Sequence, residues 1–129
     1  LTLILKENNI KNIKLPVSAP FHCNLMSKAT AIMSEELNKL NFDQGDNKLI
    51  SNVTAKEISN TKELKDLLIK QIENRVRWRE SVINMIDSNV NHFIEIGPGK
   101  VLSGLIKRIN RDVKINTINN QGDIEGLEI

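Results

Sequence analysis

Between His92 and Thr117 the sequence alternates in a way that few architectures accommodate. His92-Phe93-Ile94-Glu95-Ile96 is an apolar-rich run of strand length, bounded by Asn91 and Gly97. Gly97-Pro98-Gly99 makes a tight turn, since glycine and proline are the residues that a sharp corner needs. Val101, Leu102, Leu105, Ile106 and Ile109 then recur at the spacing of one helix face, and Val113 to Thr117 reads as a second short strand. Strands alternating with helices predict an α/β fold with a parallel sheet. Such a sheet needs helices on both faces, and this chain offers few strands with which to build one.

The remaining segments fit that class. Leu1 to Lys6 reads as the last turns of a helix ended by Asn8-Asn9. Ile13 to Val17 reads as a short strand with Pro16 near its end, and Ser18 to Cys23 as loop. Asn24 is a candidate N-cap for a helix running to about Leu40 on the face Leu25, Ala29, Ile32, Met33 and Leu37. After the polar turn Asp43 to Asn47, Leu49 to Val53 reads as a strand that Ala55 to Ile58 extends. Thr61 opens a capping-box pattern in which Glu63 misses the strict spacing by one. Leu64, Leu67, Leu68 and Ile72 form the following helix face, Asn74 interrupts it, and Val76, Ser81, Val82, Met85 and Ile86 continue as another helix to about Asp87. Residues from Asn120 onward read as loosely held.

Composition narrows the function classes. With 40% hydrophobic and 26% charged residues the chain has a globular balance. A net charge of +2 and only one Trp, three Phe and no Tyr argue against a nucleic-acid partner. The single cysteine, Cys23, excludes an internal disulfide and a cysteine-based zinc cluster. No apolar run approaches the length of a membrane span. The chain does not begin with Met and opens inside a helix pattern, so a fragment or split gene product is expected.

The loop Pro16-Val17-Ser18-Ala19-Pro20-Phe21-His22-Cys23-Asn24 is the most informative stretch. It sets His22 where a strand-end loop meets a helix start, a place that holds a side chain rigidly beside a cleft. An imidazole can take and return a proton near neutral pH. On position alone, the ordinary reading of such a histidine is a surface or hydrogen-bonded core residue. Cys23 reads as structural, because adjacent side chains point apart.

The segment Pro16 to Cys23 resembles the histidine motif of malonyl-CoA:acyl-carrier-protein transacylases and of the related polyketide acyltransferase domains. Three further segments agree in order. Leu49 to Ala55 is similar to the family's Asn-Val strand end, and Gln71-Ile72-Glu73-Asn74-Arg75-Val76-Arg77-Trp78 to its Gln/Asn…Pro-Val-x-Trp segment. Glu95 to Arg108 is similar to its Gly-Pro-Gly-Lys-Val-Leu turn and helix. Arg75 departs from the pattern: many relatives carry proline there, and the position is expected to begin a helix, where proline is favoured but not required.

The resemblance implies the C-terminal portion of the acyltransferase fold. Residues 1–17 would end a ferredoxin-like small subdomain, and residues 18–129 would return to a larger, α/β-hydrolase-like parallel-sheet subdomain. It implies transfer of malonyl from CoA to the carrier-protein thiol through a malonyl-serine ester, in cytoplasmic fatty-acid synthesis, with no cofactor. His22 would be the general base and acid, oriented by the backbone carbonyl of Gln71. Val101 and Asn52 would lie at the substrate cleft. Arg75 and Arg77, with Lys107 and Arg108, would offer a basic rim to the acidic carrier protein. The family's Gly-His-Ser-x-Gly elbow, its oxyanion-hole segment and its carboxylate-gripping arginine do not occur in this sequence. The implied partners are therefore malonyl-CoA, acyl carrier protein and a missing N-terminal half, in a parent enzyme expected to be monomeric and to bind neither nucleic acid nor membrane. Two other readings remain open: a noncatalytic carrier-protein-binding remnant, and the acyltransferase portion of a larger polyketide synthase.

Overall fold

The strand–helix–strand unit forms as its periodicity requires. A computed structural model describes residues 2–13 and 19–127. Strand β1 (His92–Ile96) and strand β2 (Lys114–Ile118) pair in parallel, with Phe93 opposite Ile115 and Ile96 opposite Ile118. The helix between them is α5 (Val101–Ile109). Ahead of this unit come α1 (Thr2–Glu7), α2 (Ser27–Lys39), α3 (Thr61–Lys70) and α4 (Trp78–Asp87); α6 (Gln121–Glu125) follows it. No helix of the described residues is long and apolar enough to cross a membrane.

The core sits on one face of the sheet. Val82 of α4, Ile106 of α5 and Val113 just before β2 are buried together, with Trp78, Met85, Phe93 and Ile115 packed around them. Side chains alternate along a strand, so Phe93 and Ile115 face this cluster while Ile94 and Ile96 point to the opposite side. That side is open: Ile96 is 78% exposed. A parallel sheet normally has both faces covered. Among the described residues, one of them is bare.

Several boundaries differ from the sequence-based expectations. Asn24 does not cap α2. The Met26 N–H donates to the Cys23 carbonyl, closing a 3-10 turn over Asn24–Met26, so the α-helix begins one turn later. Leu49 to Ile58 is not a strand. Only Ile50 and Glu57 form an antiparallel bridge, and the Ser51 hydroxyl accepts from the N–H groups of Val53 and Thr54, turning the chain. Ala55 completes that turn in the left-handed region, at φ 59°, and is buried. Arg75 does not begin a helix: it lies in the segment leading to α4, whose N-cap position is Arg77. The Arg77 N–H points away from the helix to the Asn52 carbonyl at 2.9 Å. The segment following Asn120, expected to be loosely held, is helical over Gln121–Glu125. Asn120 and Asp123 form a full capping box that starts α6. The expected strand at Ile13 to Val17, with the subdomain boundary near residue 17, falls on residues 14–18, outside the described ones; Ile13 itself is not in a strand.

The cap expected at Thr61 falls one residue earlier, on Asn60, three residues before Glu63. The Asn60 side chain accepts from the Glu63 N–H at 2.9 Å, but the Glu63 carboxylate reaches the Ser59 N–H, at 2.8 Å, so the reciprocal bond of a strict box is not made. Asn60→Ala should lower stability by about 1 kcal/mol, read as a lower urea midpoint at unchanged slope. Lys65 of α3 fastens the neighbouring helix by donating to the Leu40 carbonyl at 2.9 Å, just past the end of α2, where helix carbonyls lack partners.

Candidate active site

The end of α3 builds the site. Gln71 is its C-cap residue. Carbonyls in the last turn of a helix have no intrahelical partner, so the Gln71 carbonyl is free to accept from elsewhere. His22 takes it: its Nδ1 lies 2.8 Å from that oxygen. The His22 backbone N–H also donates to the Ile72 carbonyl at 3.2 Å. The histidine is thus held by ring and backbone to two successive residues.

Two physical consequences follow. A carbonyl can only accept, so the neutral ring must carry its proton on Nδ1. Its Nε2 then presents a lone pair, and no hydrogen bond occupies that nitrogen among the described residues. His22 also sits at φ 61°. This left-handed conformation is uncommon outside glycine, although histidine, asparagine and aspartate tolerate it best. Backbone strain of this kind clusters at functional sites.

The ring borders an apolar groove of about 500 Å³ between α2 and α3, lined by Met26, Met33, Leu37, Leu68 and Ile72 beside His22 and Gln71. Asn52 joins from the other side: its Nδ2 donates to the Gln71 Oε1 at 2.9 Å. His22, Gln71 and Asn52 therefore form one connected set. Cys23 is turned away, with its thiol directed to the Pro20 carbonyl at 3.2 Å.

The other sequence-derived candidates lie elsewhere. Val101 opens α5, is 72% exposed and is not among the groove residues. Arg75 is exposed and pairs with Glu80 at 3.5 Å. Arg108 is exposed in the last turn of α5. Lys107 is exposed too, but its ammonium is engaged: it donates to the carbonyls of Arg111 and Val113, at 3.0 and 2.7 Å, and so closes the α5–β2 connection.

The turn before α5 has its own anchor, which the sequence did not reveal. Gly97 and Gly99 adopt positive φ, at 136° and 93°, which glycine tolerates. The Glu95 carboxylate reaches across from β1 to accept from the N–H groups of Leu102 and Ser103 and from the Ser103 hydroxyl at 2.5 Å. The Ser103 hydroxyl, chiefly, holds the Glu95 carboxyl below its ordinary range, and the two N–H groups act the same way against an opposing burial effect. A carboxyl lowered on folding stabilises the native state above its unfolded pKa, and that contribution disappears as pH falls through the folded value. Glu95→Gln should therefore flatten the acid limb of a plot of melting temperature against pH.

No family model matches the chain. Individual proteins do. The malonyl CoA-acyl carrier protein transacylase of Bacillus subtilis (strain 168) is 42% identical over 123 residues, covering 95% of this chain and 39% of the relative. The crystal structure of the malonyl CoA-acyl carrier protein transacylase from Clostridium perfringens superposes with TM-score 0.85 at 36% identity, over 96% of this chain and 39% of that one. A malonyl-transacylase in complex with its type II PKS acyl-carrier protein superposes with TM-score 0.83 at 31% identity, over 93% of this chain and 39% of that one. The chain thus spans about two fifths of the length of the curated relatives it matches. Over that part of their length, the chain is similar in sequence and in fold to malonyl-CoA:acyl-carrier-protein transacylases.

Proposed function

We propose that this chain is the histidine-bearing, C-terminal part of a malonyl-CoA:acyl-carrier-protein S-malonyltransferase acting in cytoplasmic fatty-acid synthesis. The observation that carries the reading is the His22 ring, held through Nδ1 on the Gln71 carbonyl, with no hydrogen bond to Nε2 among the described residues. A serine hydroxyl needs such a base to attack a thioester at neutral pH. His22 Nε2 takes the serine proton as the Oγ–C bond forms and the C–S bond to CoA breaks. The same proton then goes to the departing CoA thiolate. In the second half, Nε2 takes the proton of the carrier-protein thiol as its sulfur attacks the malonyl ester, and returns it to the serine oxygen. A neutral carbonyl does the orienting that a carboxylate does in the Ser-His-Asp arrangement. The reaction calls on no metal or redox group.

The nucleophile comes from outside this chain. The buried serines are occupied: Ser51 in its turn, Ser81 on the Arg77 carbonyl at 2.9 Å, and Ser103 on Glu95. No serine bonds to His22 among the described residues. The serine elbow, the oxyanion donors and the malonyl-binding cation would be supplied by the rest of the acyltransferase, and the bare face of the sheet leaves room for it. Residues 1–17 would close the smaller subdomain. Arg75, Arg77 and Arg108 would meet the acidic carrier protein; the tied ammonium of Lys107 fits that role less well.

A chimera tests the reading. This chain replaces the matching 123 residues of the Bacillus subtilis relative, and transfer of labelled malonyl from CoA to carrier protein is measured. The chimera should transfer malonyl, and the isolated chain should not. A folded chimera that binds carrier protein without transferring malonyl would instead favour the noncatalytic remnant.

A further inference from the structure

We propose that Asn52 is a positioning residue for His22, acting through the side chain of Gln71; the proposal rests on the reading of His22 as the proton carrier. Asn52 was expected at the substrate cleft, but its amide is engaged. Its Nδ2 donates to the Gln71 Oε1 at 2.9 Å, and its own carbonyl accepts from the Arg77 N–H at 2.9 Å. A single residue therefore ties the C-cap of α3 to the entrance of α4.

Both ends of Gln71 are used, one for each partner. Its side chain is fixed by Asn52, and its backbone carbonyl fixes the His22 ring at 2.8 Å. The last turn of a helix frays readily because its carbonyls lack partners. Gln71 sits at that point, so an anchor on its side chain restricts where its carbonyl can go. The anchor is rigid in turn. Asn52 lies in the turn that the Ser51 hydroxyl closes onto Val53 and Thr54, and Asn84 of α4 holds the same turn by donating to the Ala55 carbonyl at 2.7 Å. The chain of contacts runs from α4, through the 51–55 turn, to Gln71 and then to the imidazole.

The consequence is a bias in the tautomer of His22. A protein hydrogen bond between neutral groups contributes only about 1 kcal/mol net, so a modest shift of the Gln71 carbonyl is enough to redistribute the ring proton. The experiment is a two-bond proton–nitrogen spectrum of the imidazoles in the ¹⁵N-labelled full chain. Wild type should show His22 mainly as the Nδ1–H form. Asn52→Leu removes the donor at similar size and should lower the ratio of Nδ1–H to Nε2–H about fivefold, while backbone amides away from residues 22, 52 and 71 stay in place. Asn52→Asp should keep the ratio within about twofold of wild type, because the Gln71 amide can turn over and donate to the new carboxylate. Gln71→Leu keeps the backbone carbonyl, loses the anchored side chain and should reproduce the Asn52→Leu shift; it carries the test should Asn52→Leu fail to fold. An unchanged ratio in the folded variant overturns the proposal. The readout involves no malonyl transfer, so a failure of the catalytic reading would show separately, as a His22 variant that still transfers.

Discussion

Replacing His22 by asparagine should leave the fold intact and reduce malonyl transfer by the chimera at least about a thousandfold, the scale of a lost general base at an activated nucleophile. Asparagine is the informative choice. It tolerates the left-handed backbone found at φ 61°, and its amide can donate to the Gln71 carbonyl as the ring does. What it lacks is a nitrogen that can take a proton. Alanine would remove the base but also force an alanine into the left-handed region, mixing a stability cost with the catalytic one. Turnover of His22→Asn within about tenfold of wild type would be too small a loss for this role.

The second large effect is on stability. Ile106→Ala should cost about 2–5 kcal/mol, because the side chain is 4% exposed and lies between Val82 and Val113. Single-domain stabilities are only about 5–15 kcal/mol, and the described core is small, so this variant should lose most of its cooperative melting transition. Ile32→Ala removes the same atoms from α2 at a residue that is 64% exposed, and should change stability by less than about 0.5 kcal/mol. Thermal unfolding of the two variants side by side separates the buried cluster from the bare apolar surface.

The parts of the fold that were legible in the sequence are those with a repeating signal. The β1 boundaries coincide with the run His92–Ile96, and α5 with the apolar face from Val101 to Ile109. β2 starts one residue late, because Val113 is buried ahead of the ladder instead of within it. The misread stretch was Leu49 to Ile58, where β-branched residues imitate a strand. A serine hydroxyl and an alanine at positive φ turn it instead, and neither leaves a mark in the hydrophobic pattern. Asn120 and Asp123 stand at capping-box spacing, but the helix they start is five residues long, too short for a periodic apolar face to announce it. At the site, the resemblance pointed to His22 and to the Gln71 carbonyl, and the structure brings those two groups together. The Asn52–Gln71 amide contact spans 19 residues of sequence. It depends on how the 51–55 turn folds, so no local pattern encodes it.

The proposed role of His22 is to activate the serine. Formation of the malonyl-serine ester tests it most directly, by intact-mass measurement of the chimera mixed with malonyl-CoA in the absence of carrier protein. The chimera carrying His22 should gain a single malonyl adduct. The His22→Asn chimera, equally folded, should remain unmodified over the same interval. Equal rates of adduct formation in the two would contradict the account.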